Sequence, residues 1–194
     1  MSAPLSARDR LFVALDVASV DRARVLVTAL GDTVSCYKVG LELLFGGGLE
    51  FAQGLKAAGK TVFLDMKLLD IANTVEKAAA NIASLGLDYL TIHGTDSKTL
   101  EAAARGRGTS RLKLLAVTVL TSMNAAALGE TGVDAGITDQ VVRLARLAQA
   151  AGLDGVVASP QETALIRNAC GARFAIVTPG IRGGAAAAGK DDQE

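Results

Sequence analysis

The feature that most constrains this chain is an alternation of short apolar runs with longer stretches of helical period. The apolar runs span 11–17, 35–40, 61–66, 89–93, 113–120, 155–159 and 174–178. Amphipathic or alanine-rich segments lie between them at 21–30, 41–58, 73–85, 97–104, 138–151 and 160–169. Strands joined through helices predict repeated β-α-β units, hence a parallel sheet with right-handed crossovers. Gly59, Gly86 and Gly152 each stand between a helical stretch and the next run, a common place for a helix to stop.

Two closures of such a sheet compete. An open doubly wound sheet often opens with a glycine-rich turn after its first strand. Here that turn reads Asp16-Val17-Ala18-Ser19, with no glycine. The units also recur evenly, about every 25 residues, as the units of a barrel do. A complete barrel has eight units and ~250 residues, whereas this chain has 194 residues and seven apolar runs. The expected fold is therefore α/β, a (β/α)8 TIM-type barrel with the eighth βα unit missing from this chain. The expected organisation is an N-terminal tail over 1–10 and a single barrel domain over 11–194. That domain ends in a Gly/Ala-rich loop after the seventh strand.

Composition narrows the function classes. Basic and acidic residues balance at 20 each, so no global field draws the chain to nucleic acid or acidic membranes. An anionic ligand must be held locally. The segment around Arg8, Asp9 and Arg10 lacks the apolar core of a signal peptide, and no apolar run reaches ~18 residues. Cys36 and Cys170 lie in or beside apolar segments and read as buried, reduced thiols. With one histidine and no Cys/His cluster, no zinc site is expected. The expectation is a soluble cytoplasmic protein without cofactor, metal, nucleic-acid partner or membrane partner.

Barrel chemistry sits at the C-terminal ends of the strands, and polar residues gather there. Asp16 ends the first run, Lys38 lies in the second, and Asp65 and Lys67 end the third. His93 ends the fourth, Thr121 and Ser122 follow the fifth, and Pro179-Gly180-Ile181-Arg182 follows the seventh. Asp65 and Lys67 are two apart, so an extended backbone points both to one side. Asp70 follows at the turn into the next helix. Any one of these charges could be a solvated strand cap, but charges ending three successive apolar strands call for pairing. Asp16, Lys38, Asp65, Lys67 and Asp70 are thus expected to form one alternating network.

Such a network has a definite chemical use. A carboxylate beside a substrate carboxylate repels it, and the repulsion falls when carbon dioxide leaves. A neighbouring ammonium stabilises the carbanion that forms and can protonate it. Thr178 to Gly184 combines free backbone N–H groups with a guanidinium, as a phosphate site requires. His93 reads most simply as a strand-end residue hydrogen-bonded for structural reasons, and Gly46-Gly47-Gly48 as a flexible bend.

The run Asp65-Met66-Lys67-Leu68-Leu69-Asp70-Ile71-Ala72-Asn73-Thr74 resembles the D-x-K-x-x-D-I-x-N-T signature of the orotidine 5'-monophosphate decarboxylase family. Ala14-Leu15-Asp16, Lys38-Val39-Gly40, Val119-Leu120-Thr121-Ser122-Met123 and Thr178-Pro179-Gly180-Ile181-Arg182 fit the same family in order. The resemblance implies cofactor-free decarboxylation of orotidine 5'-monophosphate to UMP. Lys67 would protonate C6 of the pyrimidine, and Asp65 would lie against the substrate carboxylate. Lys38 and Asp16 would contact the ribose, and Thr121 and Ser122 the pyrimidine edge. Pro179, Arg182 and Gln193 would serve the 5'-phosphate. Asp70 and Thr74 would reach the neighbouring subunit's site in a homodimer with shared active sites. Leu69 and Ala72 stand where bacterial members usually carry His and Pro. Two other readings compete: a magnesium-dependent sugar-phosphate decarboxylase or aldolase of the same barrel group, and a truncated barrel that binds nucleotide without turnover.

Overall fold

A computed structural model describes residues 6–181. Seven strands, β1 (Val13–Ala14), β2 (Cys36–Gly40), β3 (Thr61–Leu68), β4 (Tyr89–His93), β5 (Lys113–Val117), β6 (Gly155–Val157) and β7 (Ala175–Val177), form one sheet. Every neighbouring pair is parallel, and the spatial order is the chain order. The helices are α1 (Val20–Leu30), α2 (Leu41–Leu43), α3 (Leu49–Ala57), α4 (Ala72–Ser84), α5 (Ser97–Arg107), α6 (Ala125–Glu130), α7 (Ile137–Ala150) and α8 (Thr163–Cys170). Among the described residues there is no eighth strand.

The sheet is curled. Laid flat, strands ~4.8 Å apart would separate β1 from β7 by roughly 30 Å. Instead Val13 and Ala14 of β1 and Ile176 and Val177 of β7 line one cavity of about 790 Å³. The two faces divide the labour. Leu64, Leu90, Leu114 and Val156 pack outward in a single core with Val75, Ala79, Ile82, Leu100, Leu144, Ala148 and Ile166 of the helices. Phe63, Asp65, Val117 and Val157 alternate with them and face the cavity.

Gly59 and Gly86 adopt positive φ as the helix stops the sequence implied. Other boundaries moved. The first strand shrinks from 11–17 to two residues because it pairs only with β2. The fifth to seventh also end early, whereas β3 runs two residues past 66. The stretch 41–58 is not one helix but α2 and α3, joined by a wide turn in which Gly47 takes φ 88°. The glycine triplet is no mere flexible bend: a Cβ on Gly46 would lie 2.8 Å from the Ala18 carbonyl, and one on Gly48 2.6 Å from that of Leu43. Helix α6 was not expected, although Asn124 caps it by accepting from Ala127 N–H at 3.0 Å.

The N-terminal end of the sheet carries a repeated device. Asp88, just before β4, takes Lys56 Nζ at 2.6 Å and Val62 N–H at 2.9 Å. Asp154, just before β6, takes Arg107 Nη1 at 2.7 Å and Leu114 N–H at 2.9 Å. Each aspartate thus ties its own strand to the preceding strand and to an outer helix.

Candidate active site

At the opposite end of the sheet the charges form a chain rather than isolated ties. Lys38 Nζ lies 3.0 Å from Asp16 Oδ1 and 3.6 Å from Asp65 Oδ2. Lys67 Nζ lies 2.9 Å from the same Asp65 Oδ2. The other oxygen, Oδ1, accepts from Thr91 Oγ1 at 2.9 Å. Asp65 is the most enclosed member, its side chain only 14% exposed, so one oxygen is shared by two ammonium groups in a poorly hydrated place. Sharing of this kind neutralises the carboxylate without removing its charge.

Local backbone geometry places Lys67. The chain advances from Leu64 to Leu68 on β3 while β4 advances only from Leu90 to Ile92. Within this bulge Lys67 adopts φ 52°, alone among the described non-glycine residues in having positive φ. A left-handed lysine costs ~1–3 kcal/mol and persists only where its surroundings impose it. The sequence spacing foresaw that Asp65 and Lys67 share a side, but strand alternation is not the means. A bulge that re-aims the side chain is.

Gly40, at the end of β2, leaves room for the network. A Cβ there would meet Lys38 Nζ at 3.1 Å and Asp16 Oδ1 at 3.2 Å. Below the charges, the rings of Phe12, Phe63 and Tyr89 meet edge to face at 5.3 to 6.1 Å between centroids and form an apolar floor. The His93 side chain makes no hydrogen bond among the described residues, in contrast to the structural hydrogen bond expected of it. Burial, and secondarily the Lys67 ammonium, hold its imidazole below the usual range, against an opposing pull from Asp65.

Of the residues singled out from sequence, Asp16, Lys38, Asp65, Lys67, Thr121 and Pro179 line the cavity that β1 and β7 share. Ser122 is exposed beside it. Asp70 is exposed at the β3–α4 turn, its Oδ1 accepting from Ile71 N–H at 2.6 Å, and joins no ion pair among the described residues. The expected five-member network is therefore a four-member one in the single subunit. Thr74 is exposed on the first turns of α4. Arg182 and Gln193 lie outside the described residues. Sequence reasoning missed Thr91 and Gly40, although Gly40 stood inside a segment already singled out. Both expected thiols are free and buried, and burial pushes that of Cys170 up.

A curled parallel β/α sheet with paired carboxylate and ammonium groups at the C-terminal strand ends, over an apolar floor, is the arrangement of a barrel enzyme. The chain belongs to the orotidine 5'-phosphate decarboxylase / HUMPS family, whose model matches residues 9–194. It is 48% identical over 186 residues to an orotidine 5'-phosphate decarboxylase of Rhodopseudomonas palustris strain BisA53, covering 96% of this chain and 79% of that one. It is 50% identical over 182 residues to the enzyme of strain HaA2, covering 94% and 77%. Among solved structures, orotidine 5'-phosphate decarboxylase from Lactobacillus acidophilus superposes with a TM-score of 0.82 at 37% identity, over 89% of this chain and 81% of the other.

Proposed function

We propose that this chain decarboxylates orotidine 5'-monophosphate to UMP, the carboxy-lyase step of pyrimidine biosynthesis, without a cofactor. The observation that carries the mechanism is the doubly shared Asp65 oxygen, with Lys67 Nζ 2.9 Å away. In this reading the substrate carboxylate is pressed against Asp65, and the repulsion is relieved as carbon dioxide departs. The electron pair left on C6 faces the Lys67 ammonium, which stabilises it and then donates its proton there. Lys38 and Asp16 hold Asp65 from the far side and contact the ribose. Thr121 and Ser122 read the pyrimidine edge, and the loop from Pro179 through Arg182 towards Gln193 binds the phosphate.

The magnesium-dependent alternative requires carboxylate oxygens available to a cation. Here both oxygens of Asp65 and one of Asp16 are already engaged by protein donors, so the donor set favours the metal-free route. Loss of orotidine 5'-monophosphate absorbance in EDTA, with UMP as product, is the expected result. Turnover only with added magnesium would shift the assignment to the sugar-phosphate reading, and no turnover by folded protein to the non-catalytic one.

A homodimer with shared sites completes the proposal. Leu69 and Ile71, 56% and 71% exposed, flank Asp70, and Phe45 nearby in sequence to α3 is 86% exposed. Burying this apolar surface against a second copy would carry Asp70 and Thr74 to the partner's cavity. Mixing Lys67→Ala with Asp70→Ala chains should restore about a quarter of wild-type activity, through hybrids with one intact site. Buried free thiols suit a reducing, cytoplasmic setting.

A further inference from the structure

Thr91 bonds to both halves of the Asp65–Lys67 pair from outside the cavity lining. It sits on β4, fully buried. Its hydroxyl donates to Asp65 Oδ1 at 2.9 Å and accepts the backbone N–H of Lys67 at 2.8 Å. A hydroxyl has one proton and two lone pairs. With the Lys67 N–H occupying the acceptor side, the proton is committed to Asp65.

We infer that Thr91 is the positioning residue of the reaction: its hydroxyl locks the left-handed Lys67 backbone and the Asp65 carboxylate into one rigid unit. Three observations converge. The β3–β4 register slips in the segment where Asp65 and Lys67 sit, so no regular pairing with β4 holds them, although Asp65 still pairs with Gly40 of β2. Lys67 has φ 52°, a conformation that needs an outside constraint. The hydroxyl supplies it in the gap, bonding the amide of the strained residue itself. Thr91 therefore aligns the ammonium with the carbon to be protonated and orients the carboxylate that confronts the substrate. It makes no contact with substrate. An error of ~1 Å in such groups costs about 10²-fold in rate.

The inference rests on the proposed decarboxylation, so its test pairs turnover with a measurement independent of turnover. Thr91→Val, Thr91→Ser and wild type are compared for kcat, affinity for UMP, and hydrogen exchange of the ¹⁵N-labelled Lys67 amide. Thr91→Val keeps the shape and removes the hydroxyl; Thr91→Ser keeps the hydroxyl and removes a packed methyl. Expected for Thr91→Val are a ~10²-fold fall in kcat, UMP affinity within about threefold of wild type, and Lys67 amide exchange at least about tenfold faster. Thr91→Ser should recover most of both losses even if it melts lower than wild type, an order that a merely structural role would not produce. If Thr91→Val does not fold, Thr91→Ala carries the same expectations. Unchanged kcat, unchanged Lys67 exchange, or a serine variant no better than the valine one would overturn the inference. Absence of turnover in wild type would instead remove the decarboxylase reading, while the exchange data would still decide whether Thr91 holds Lys67.

Discussion

The two ends of the sheet use the same residue types for opposite purposes. At the N-terminal end, Asp88 gives one oxygen to Lys56 and the other to the Val62 N–H, and Asp154 gives Oδ2 to both Arg107 and the Leu114 N–H. At the C-terminal end, Asp65 shares one oxygen between two ammonium groups and gives the other to Thr91. The first arrangement fastens strand starts to neighbouring strands and helices, away from the cavity lining. The second leaves lysines at a cavity wall and holds one of them in a strained backbone. An aspartate–cation pair is therefore not informative by itself; what distinguishes the ends is where the remaining hydrogen-bonding capacity points.

The sharpest way to break the comparison is to remove Lys67. Lys67→Gly should lower kcat by at least ~10⁴-fold, since in the proposed mechanism it deletes both proton donor and charge stabiliser. Yet glycine accepts positive φ freely, so thermal or urea unfolding should show stability at or above wild type, by up to ~1 kcal/mol. Loss of stability in proportion to activity would mean that the mouth is as structural as the floor.

Asp154→Ala tests the opposite end. Orphaning the Leu114 N–H and the Arg107 guanidinium should cost about 2 kcal/mol in urea titrations, with kcat per folded molecule unchanged. A large fall in kcat would erase the distinction.

Gly40→Ala is a smaller intrusion. Its methyl would crowd Lys38 Nζ and Asp16 Oδ1 by a few tenths of an ångström, and kcat should fall about tenfold with little change in unfolding.

The smallest effect belongs to His93. Its imidazole is held below the usual value of 6.5 by burial, then by Lys67. Unfolding raises its proton affinity, so its contribution to stability is present above pH 6.5 and is lost as pH falls through the folded value. His93→Asn should flatten that acidic decline of melting temperature; an unchanged profile would show that other groups cause it.

Much of the mouth was legible because a charge stands out in an apolar strand. Asp16, Lys38, Asp65 and Lys67 were visible for that reason, and β4 was found at its observed limits. Thr91 was not, because threonine is an ordinary strand residue and its partners come from a bulge set by pairing with β4. The N-terminal ties did leave a trace: Gly86-Leu87-Asp88 and Gly152-Leu153-Asp154 repeat one tripeptide before two strands. The shortness of β1, expected over 11–17, and the short α6 escaped because edge pairing and a single capping Asn leave little mark on hydrophobic period.

The aromatic floor gives the cavity an optical label of its own. The chain contains no tryptophan and only two tyrosines, Tyr37 and Tyr89. Tyr37 belongs to the outer core, while Tyr89 stacks edge-on with Phe12 and Phe63 and receives a hydrogen bond from Lys113 at 3.2 Å. Ultraviolet emission from the unmodified protein is thus a two-emitter signal, with one emitter shielded and the other beneath the cavity. Replacing Tyr37 with phenylalanine would leave a single tyrosine reporting on the floor, with no dye attached.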